Sequence, residues 1–116
     1  MNDLKNLNEL LAGVTFVRSI RIDIEPVTYA YNMLLVMGKH ADLDEGMISV
    51  CFKGVSNLNL PDFGGGLTQF MWLQISHLDA GLDRIKYSLA DLENESIFCH
   101  FYSVTLLTEQ ADSAGA

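Results

Sequence analysis

From Phe16 to Glu25 apolar and polar positions alternate. Phe16, Ile20, Ile22 and Ile24 take the even places, and Ser19, Arg21, Asp23 and Glu25 the odd ones. A period of two is that of a half-buried strand, so Ile20, Ile22 and Ile24 are predicted to face a core and Arg21, Asp23 and Glu25 to face water. Pro26 removes a backbone donor and ends the ladder. Residues 28–37 predict a second strand, with Tyr29, Tyr31, Met33, Leu35 and Met37 on one face. Its other face turns apolar at Leu34 and Val36, as in a central or covered strand. A third strand opens at Met47 with Ile48, Val50 and Phe52 in phase. The phase slips at Gly54 and is restored at Leu58 and Leu60. A glycine at such a slip predicts a bulge or sharp bend. Pro61, Asp62 and Gly64 to Gly66 then predict a corner.

Three more strands complete the plan. Residues 68–77 place Met71, Leu73 and Ile75 on one face, taken as inward, and Phe70 and Trp72 on the other. Residues 84–90 turn Ile85, Tyr87 and Leu89 inward, and residues 96–107 are apolar on both faces at their start. Ahead of the first strand, Leu4, Leu7, Leu10 and Leu11 recur at helical spacing over 3–12, with Asn2 or Asp3 as cap and Gly13 as stop. Short connections favour antiparallel neighbours. The predicted fold is therefore mainly β (α+β). About six antiparallel strands form a bent meander, barrel-like or a two-layer sandwich, with one short N-terminal helix. Residues 1–108 make a single β-rich domain, and 109–116 a small, polar, flexible tail.

Charge narrows the partners. Fifteen acidic against seven basic residues give a net charge of −8 over 116 residues. That surplus repels nucleic acid and anionic membranes and suits a basic partner. The N-terminus has neither the basic start nor the long apolar run of a secretory signal, and no apolar run reaches membrane-spanning length; the expectation is a cytoplasmic protein.

No familiar catalytic or metal pattern is complete. Gly64-Gly65-Gly66 is followed by Leu67, Thr68 and Gln69, without the lysine of a phosphate-binding loop. Asp42, Asp44, Glu45 and Gly46 resemble the start of a calcium loop, but the sixth residue from Asp42 is Met47 and the twelfth is Lys53, where glycine and glutamate are required. His40, His77 and His100 and the cysteines Cys51 and Cys99 lack the close spacing of a zinc site. Both cysteines sit in apolar runs and read as inert buried thiols. No catalytic residue, metal ligand or cofactor is assigned.

Interaction chemistry is better represented. Asp42, Asp44 and Glu45 in one loop and Asp79 and Asp83 in another form acidic contact candidates. Phe70 and Trp72, opposite an inward Met71, Leu73 and Ile75, are candidates for an outer aromatic face covered by the helix, by a ligand or by a second copy. Tyr29, Tyr31 and Tyr102, with Trp72, are candidates to line the mouth of a barrel. Edge strands and an outer aromatic face need cover, which predicts a homodimer.

The stretch from Phe52 to Ile75, FKGVSNLNLPDFGGGLTQFMWLQI, resembles small stand-alone bacterial domains of unknown function, among them immunity-like proteins and products of mobile cassettes. The resemblance carries no catalytic motif. It implies a non-enzymatic interaction domain, with an immunity-like acidic binder of a basic toxin as its sharpest form. A small-molecule binding domain is the alternative, and a small enzyme with an unrecognised site the second.

Overall fold

The computed structural model describes residues 2–40, 46–78 and 85–109. Helix α1 (Asn2–Ala12) is followed by seven strands: β1 (Phe16–Ile24), β2 (Tyr31–Gly38), β3 (Ile48–Asn59), β4 (Leu73–His77), β5 (Tyr87–Asp91), β6 (Phe98–Phe101) and β7 (Ser103–Glu109). All pairings are antiparallel, in the order β1-β2-β3-β6-β5-β4, with β7 also on β3. Two three-stranded meanders, β1-β2-β3 and β4-β5-β6, are thus joined through β3. The sheet is mainly β architecture with one short helix, as the alternation predicts, and it does not close into a barrel. A single bridge, Phe16 to Gln69, links the start of β1 to the segment ahead of β4.

The bend lies where the phase slips. Gly54 has a φ of 70°, and an added Cβ would stand 2.9 Å from the Cβ of Tyr102. Before Gly54, β3 pairs with β7; beyond it, β3 pairs with β6. The expected sixth strand, 96–107, is consequently two strands that break at Tyr102, and the sheet has seven strands where the alternation predicts about six. The backbone amide of Tyr102 donates to the Lys53 carbonyl at 2.8 Å, pinning the two bends together. Gly64 and Gly65 take the positive φ angles a corner requires, 93° and 80°. Beyond their chain neighbours, no described residue comes within 4 Å of where a Cβ would stand, so backbone conformation, not close approach, is what they supply.

The core gathers the helix stripe and the inner strand faces. Leu7, Leu11 and Val14 meet Met33, Leu35, Val50, Phe52, Phe70, Leu73, Ile75, Leu89, Cys99 and Phe101. Phe52 and Phe101 meet edge to face at 5.0 Å, and Tyr87 stacks on Phe101 at 5.3 Å. Helix α1 ends at Gly13, as its spacing predicts, and lies along β4. There Asn8 mimics a neighbouring strand: its Nδ2 donates to the Ile75 carbonyl at 3.0 Å and its Oδ1 accepts from the Ile75 amide at 2.8 Å. The outer edge of β4 is thereby capped.

Three expectations change. The fourth strand begins at Leu73, not at 68. Before it, the Phe70 amide donates to the Thr15 carbonyl at 2.8 Å, and the chain turns at Met71 and Trp72. That turn breaks the alternation, so Phe70 is fully buried while Met71 is exposed. The second strand begins at Tyr31, because residues 25–29 are consumed by a tight turn. Ile22 and Ile24 lie on the core-facing side, opposite Met33 and Tyr31, yet are 45% and 47% exposed, because the covering layer ends short of them. β7 reaches Glu109, and the rest of the expected tail, 110–116, is outside the described residues.

Candidate functional site

The turn end of the β1–β2 hairpin builds a groove. The turn between these strands is organised by Glu25, whose Oε1 accepts from the Thr28 amide at 2.7 Å, the Thr28 hydroxyl at 2.9 Å and the Val27 amide at 3.0 Å. The Thr28 backbone and side-chain bonds and the Val27 bond hold the Glu25 carboxyl below its ordinary range, outweighing the small cost of desolvation. The Tyr29 amide closes the turn on the Glu25 carbonyl at 2.8 Å, leaving Tyr29 in the left-handed region at φ 62°. A tyrosine in a conformation suited to glycine carries a local strain. Tyr29 is 73% exposed.

Tyr29 and Tyr31 come from this hairpin, and Tyr102 arrives from the β6–β7 bend held against Gly54. The three tyrosines line one groove of about 870 Å³, together with Lys53, Ser56 and Ile85. Lys53 is exposed, and the Lys86 ammonium sits 5.8 Å from the centre of the Tyr102 ring, a cation–π placement. The Ser56 hydroxyl is shielded from solvent and has no hydrogen-bond partner among the described residues. A shielded hydroxyl without a partner carries a desolvation cost, and it lies behind the groove wall and not at its surface. The Glu25 carboxylate is already committed to its turn.

The other candidates are placed elsewhere. Trp72 does not join the tyrosines. It is 48% exposed in a shallow groove of about 550 Å³ between α1 and β4, beside Asn8, Gln74 and His77. The expected Phe70–Trp72 outer face therefore does not exist, since Phe70 is in the core. Asp42, Asp44, Glu45, Asp79 and Asp83 lie outside the described residues. Cys99 is a free, buried thiol that desolvation pushes up to about 12, far from the thiolate a nucleophile requires. Cys51, also free, is half-buried in β3. His100 Nδ1 is 3.1 Å from the Asn57 amide nitrogen. Among the described residues no group of three His, Cys, Asp or Glu side chains is placed to hold a metal ion, and no helix is long and apolar enough to cross a membrane.

Asp91 is a polar centre that the alternation did not single out. It is buried at the end of β5. Its Oδ1 accepts from the amides of Trp72 at 3.0 Å, Glu93 at 3.1 Å and Asn94 at 3.4 Å, and its Oδ2 from the Ser96 hydroxyl. Burial pushes this carboxyl up, but the bonds from Ser96, Glu93, Trp72 and Asn94 prevail and hold it below its ordinary range. Every bond is structural, tying the β5–β6 turn to the start of β4. The available signal was an aspartate opening the turn Asp91-Leu92-Glu93-Asn94.

Comparison with protein-family models, curated proteins and solved structures finds no match for this chain.

Proposed function

We propose that this is a non-enzymatic binding domain whose site is the tyrosine groove between the β1–β2 turn and the Gly54–Tyr102 bend. The observation that carries the reading is the convergence of Tyr29, Tyr31 and Tyr102, drawn from two distant segments, on one groove of about 870 Å³. Binding sites of that size are typically lined by aromatic rings with a few polar groups fixing orientation. Tyrosine supplies a flat apolar face and a hydrogen-bonding tip at low entropic cost. The exposed Lys53 ammonium and the tyrosine hydroxyls supply the polar groups. The chemistry suits a flat, uncharged, hydrogen-bonding molecule, a class that includes sugar rings and amide-bearing aromatic heterocycles. The net charge of −8 disfavours anionic ligands.

A library of neutral saccharides and heterocycles, followed through backbone amide shifts, tests this. Saturable shifts at Tyr31, Lys53 to Ser56 and Tyr102 to Ser103 support the reading. A library without saturable shifts at these amides, at millimolar concentration, overturns it.

A basic protein partner is the second reading, supported by the same acidic surplus. It predicts association that weakens steeply with salt.

A further inference from the structure

We propose that the outer edge of β1 pairs with the same edge of a second copy of this chain, across a two-fold axis at Ile22. The inference is independent of the tyrosine groove. It starts from hydrogen-bond parity. The Glu25 amide donates to the Ala30 carbonyl at 2.8 Å, and the register of β1 on β2 runs unbroken from Ser19↔Val36 to Ile24↔Tyr31. Bonded pairs recur at every second residue of an antiparallel ladder. Ser19, Arg21 and Asp23 therefore bond inward to β2, and the amides and carbonyls of Ile20, Ile22 and Ile24 point outward. Further up the same edge the Val17 amide reaches the Thr68 carbonyl at 2.9 Å. Among the described residues nothing pairs with the edge from Ile20 to Ile24.

Side-chain chemistry then selects the occupant and the register. A bare edge with exposed Ile22 and Ile24 is a template for another strand. Only pairings that set outward residues opposite outward residues form the ladder. In the register centred on Ile22, Ile22 meets the partner's Ile22 and Ile20 meets the partner's Ile24. Arg21 then falls opposite the partner's Asp23, twice over, on the other face of the joined sheet. Slipping the partner by two residues in one direction puts Arg21 opposite the partner's Arg21. Slipping it the other way puts Asp23 opposite the partner's Asp23. Like charges directly opposite are unfavourable and opposite charges favourable, so the edge is self-complementary in one register alone of these three. Within one chain Arg21 Nε and Asp23 Oδ2 already stand 2.9 Å apart with both side chains mostly exposed, so the two charges are presented together on that face. The two-fold runs perpendicular to the sheet and keeps the core-facing sides together. The uncovered isoleucines of both copies would then form one continuous apolar strip.

Sedimentation and light scattering on the full chain, from micromolar to millimolar concentration, test the proposal. The unaltered protein should dimerise with rising concentration. Arg21→Glu and Asp23→Arg, each alone, should weaken the dimer about tenfold or more, because the two-fold repeats each like-charge contact. Mixing the two single variants should restore association as a heterodimer, since each then meets its opposite charge across the edge. Neither change touches the core, and circular dichroism of each variant checks that it folds. A protein that stays monomeric at millimolar concentration overturns the proposal. So does a dimer that both single variants leave intact, or a mixture that associates no better than its components.

Discussion

Gly54 and Tyr102 are in contact across the bend of the sheet: a Cβ on Gly54 would lie 2.9 Å from the Cβ of Tyr102, with Gly54 at a φ of 70°. Glycine satisfies both demands, on space and on backbone conformation. Gly54→Ala should therefore cost about 2–3 kcal/mol, from left-handed strain plus displacement of Tyr102. Urea unfolding would measure it. The same variant should broaden or shift the Tyr102 ring resonances. An unchanged denaturation midpoint would show that the bend does not depend on this contact.

How far the sequence reveals this bend depends on which strand is read. On β3 the alternation visibly slips at Gly54, so the bend is legible there. On the partner strand Tyr102 lies in a continuous strand-like run, 96–107, with no glycine or proline, and nothing local marks the break. Pairing with a bent β3 imposes it. The groove is legible in the same partial way. Tyr29 and Tyr31 share a face by local period, while Tyr102 joins them only through non-local strand pairing. Phe70 departs from the face that a period of two predicts, because across residues 68–72 the chain makes one bridge and turns. Ile22 and Ile24 take the face that their period predicts. Their exposure depends on where the second layer ends, which no local pattern records.

Asp91 should make stability fall in acid. Its folded-state carboxyl is held below the ordinary value near 3.8. Its contribution is therefore fully present above the unfolded value and is lost as pH falls through the lower folded one. Asp91→Asn keeps one acceptor but loses the charge, and should cost about 1.5–3 kcal/mol near neutral pH. It should also flatten the decline in stability below about pH 4. Thermal unfolding between pH 2 and pH 7 reads both, with pH values set roughly by the ordinary carboxylate range. An equally steep acid decline in the variant would assign the acid sensitivity to other carboxylates.

Asn8 holds the outer edge of β4 through two bonds to the Ile75 backbone. Asn8→Ala removes both partners while leaving the leucine stripe of α1 in place. A loss of about 1–2 kcal/mol is expected, together with faster hydrogen exchange at the Ile75 amide and a greater tendency to aggregate through the bared edge. Asn8→Asp separates geometry from charge, because it keeps the acceptor for the Ile75 amide but loses the donor to the carbonyl. Native exchange protection at Ile75 in Asn8→Ala would mean that α1 covers the edge by packing alone.

The most direct test of the tyrosine groove is a comparison of affinities. The tightest neutral saccharide or heterocycle found by amide shifts would be titrated into the unaltered protein and into Tyr31→Ala, Tyr102→Ala and Trp72→Ala variants. Removing an aromatic anchor from a binding site typically costs upwards of about 1.4 kcal/mol, a factor of ten in affinity. Tyr31→Ala and Tyr102→Ala should each weaken binding by at least that factor, and Trp72→Ala, in the separate groove beside α1, should leave it unchanged. Affinity that survives both tyrosine changes, or that is lost with Trp72, would contradict the assignment of the site.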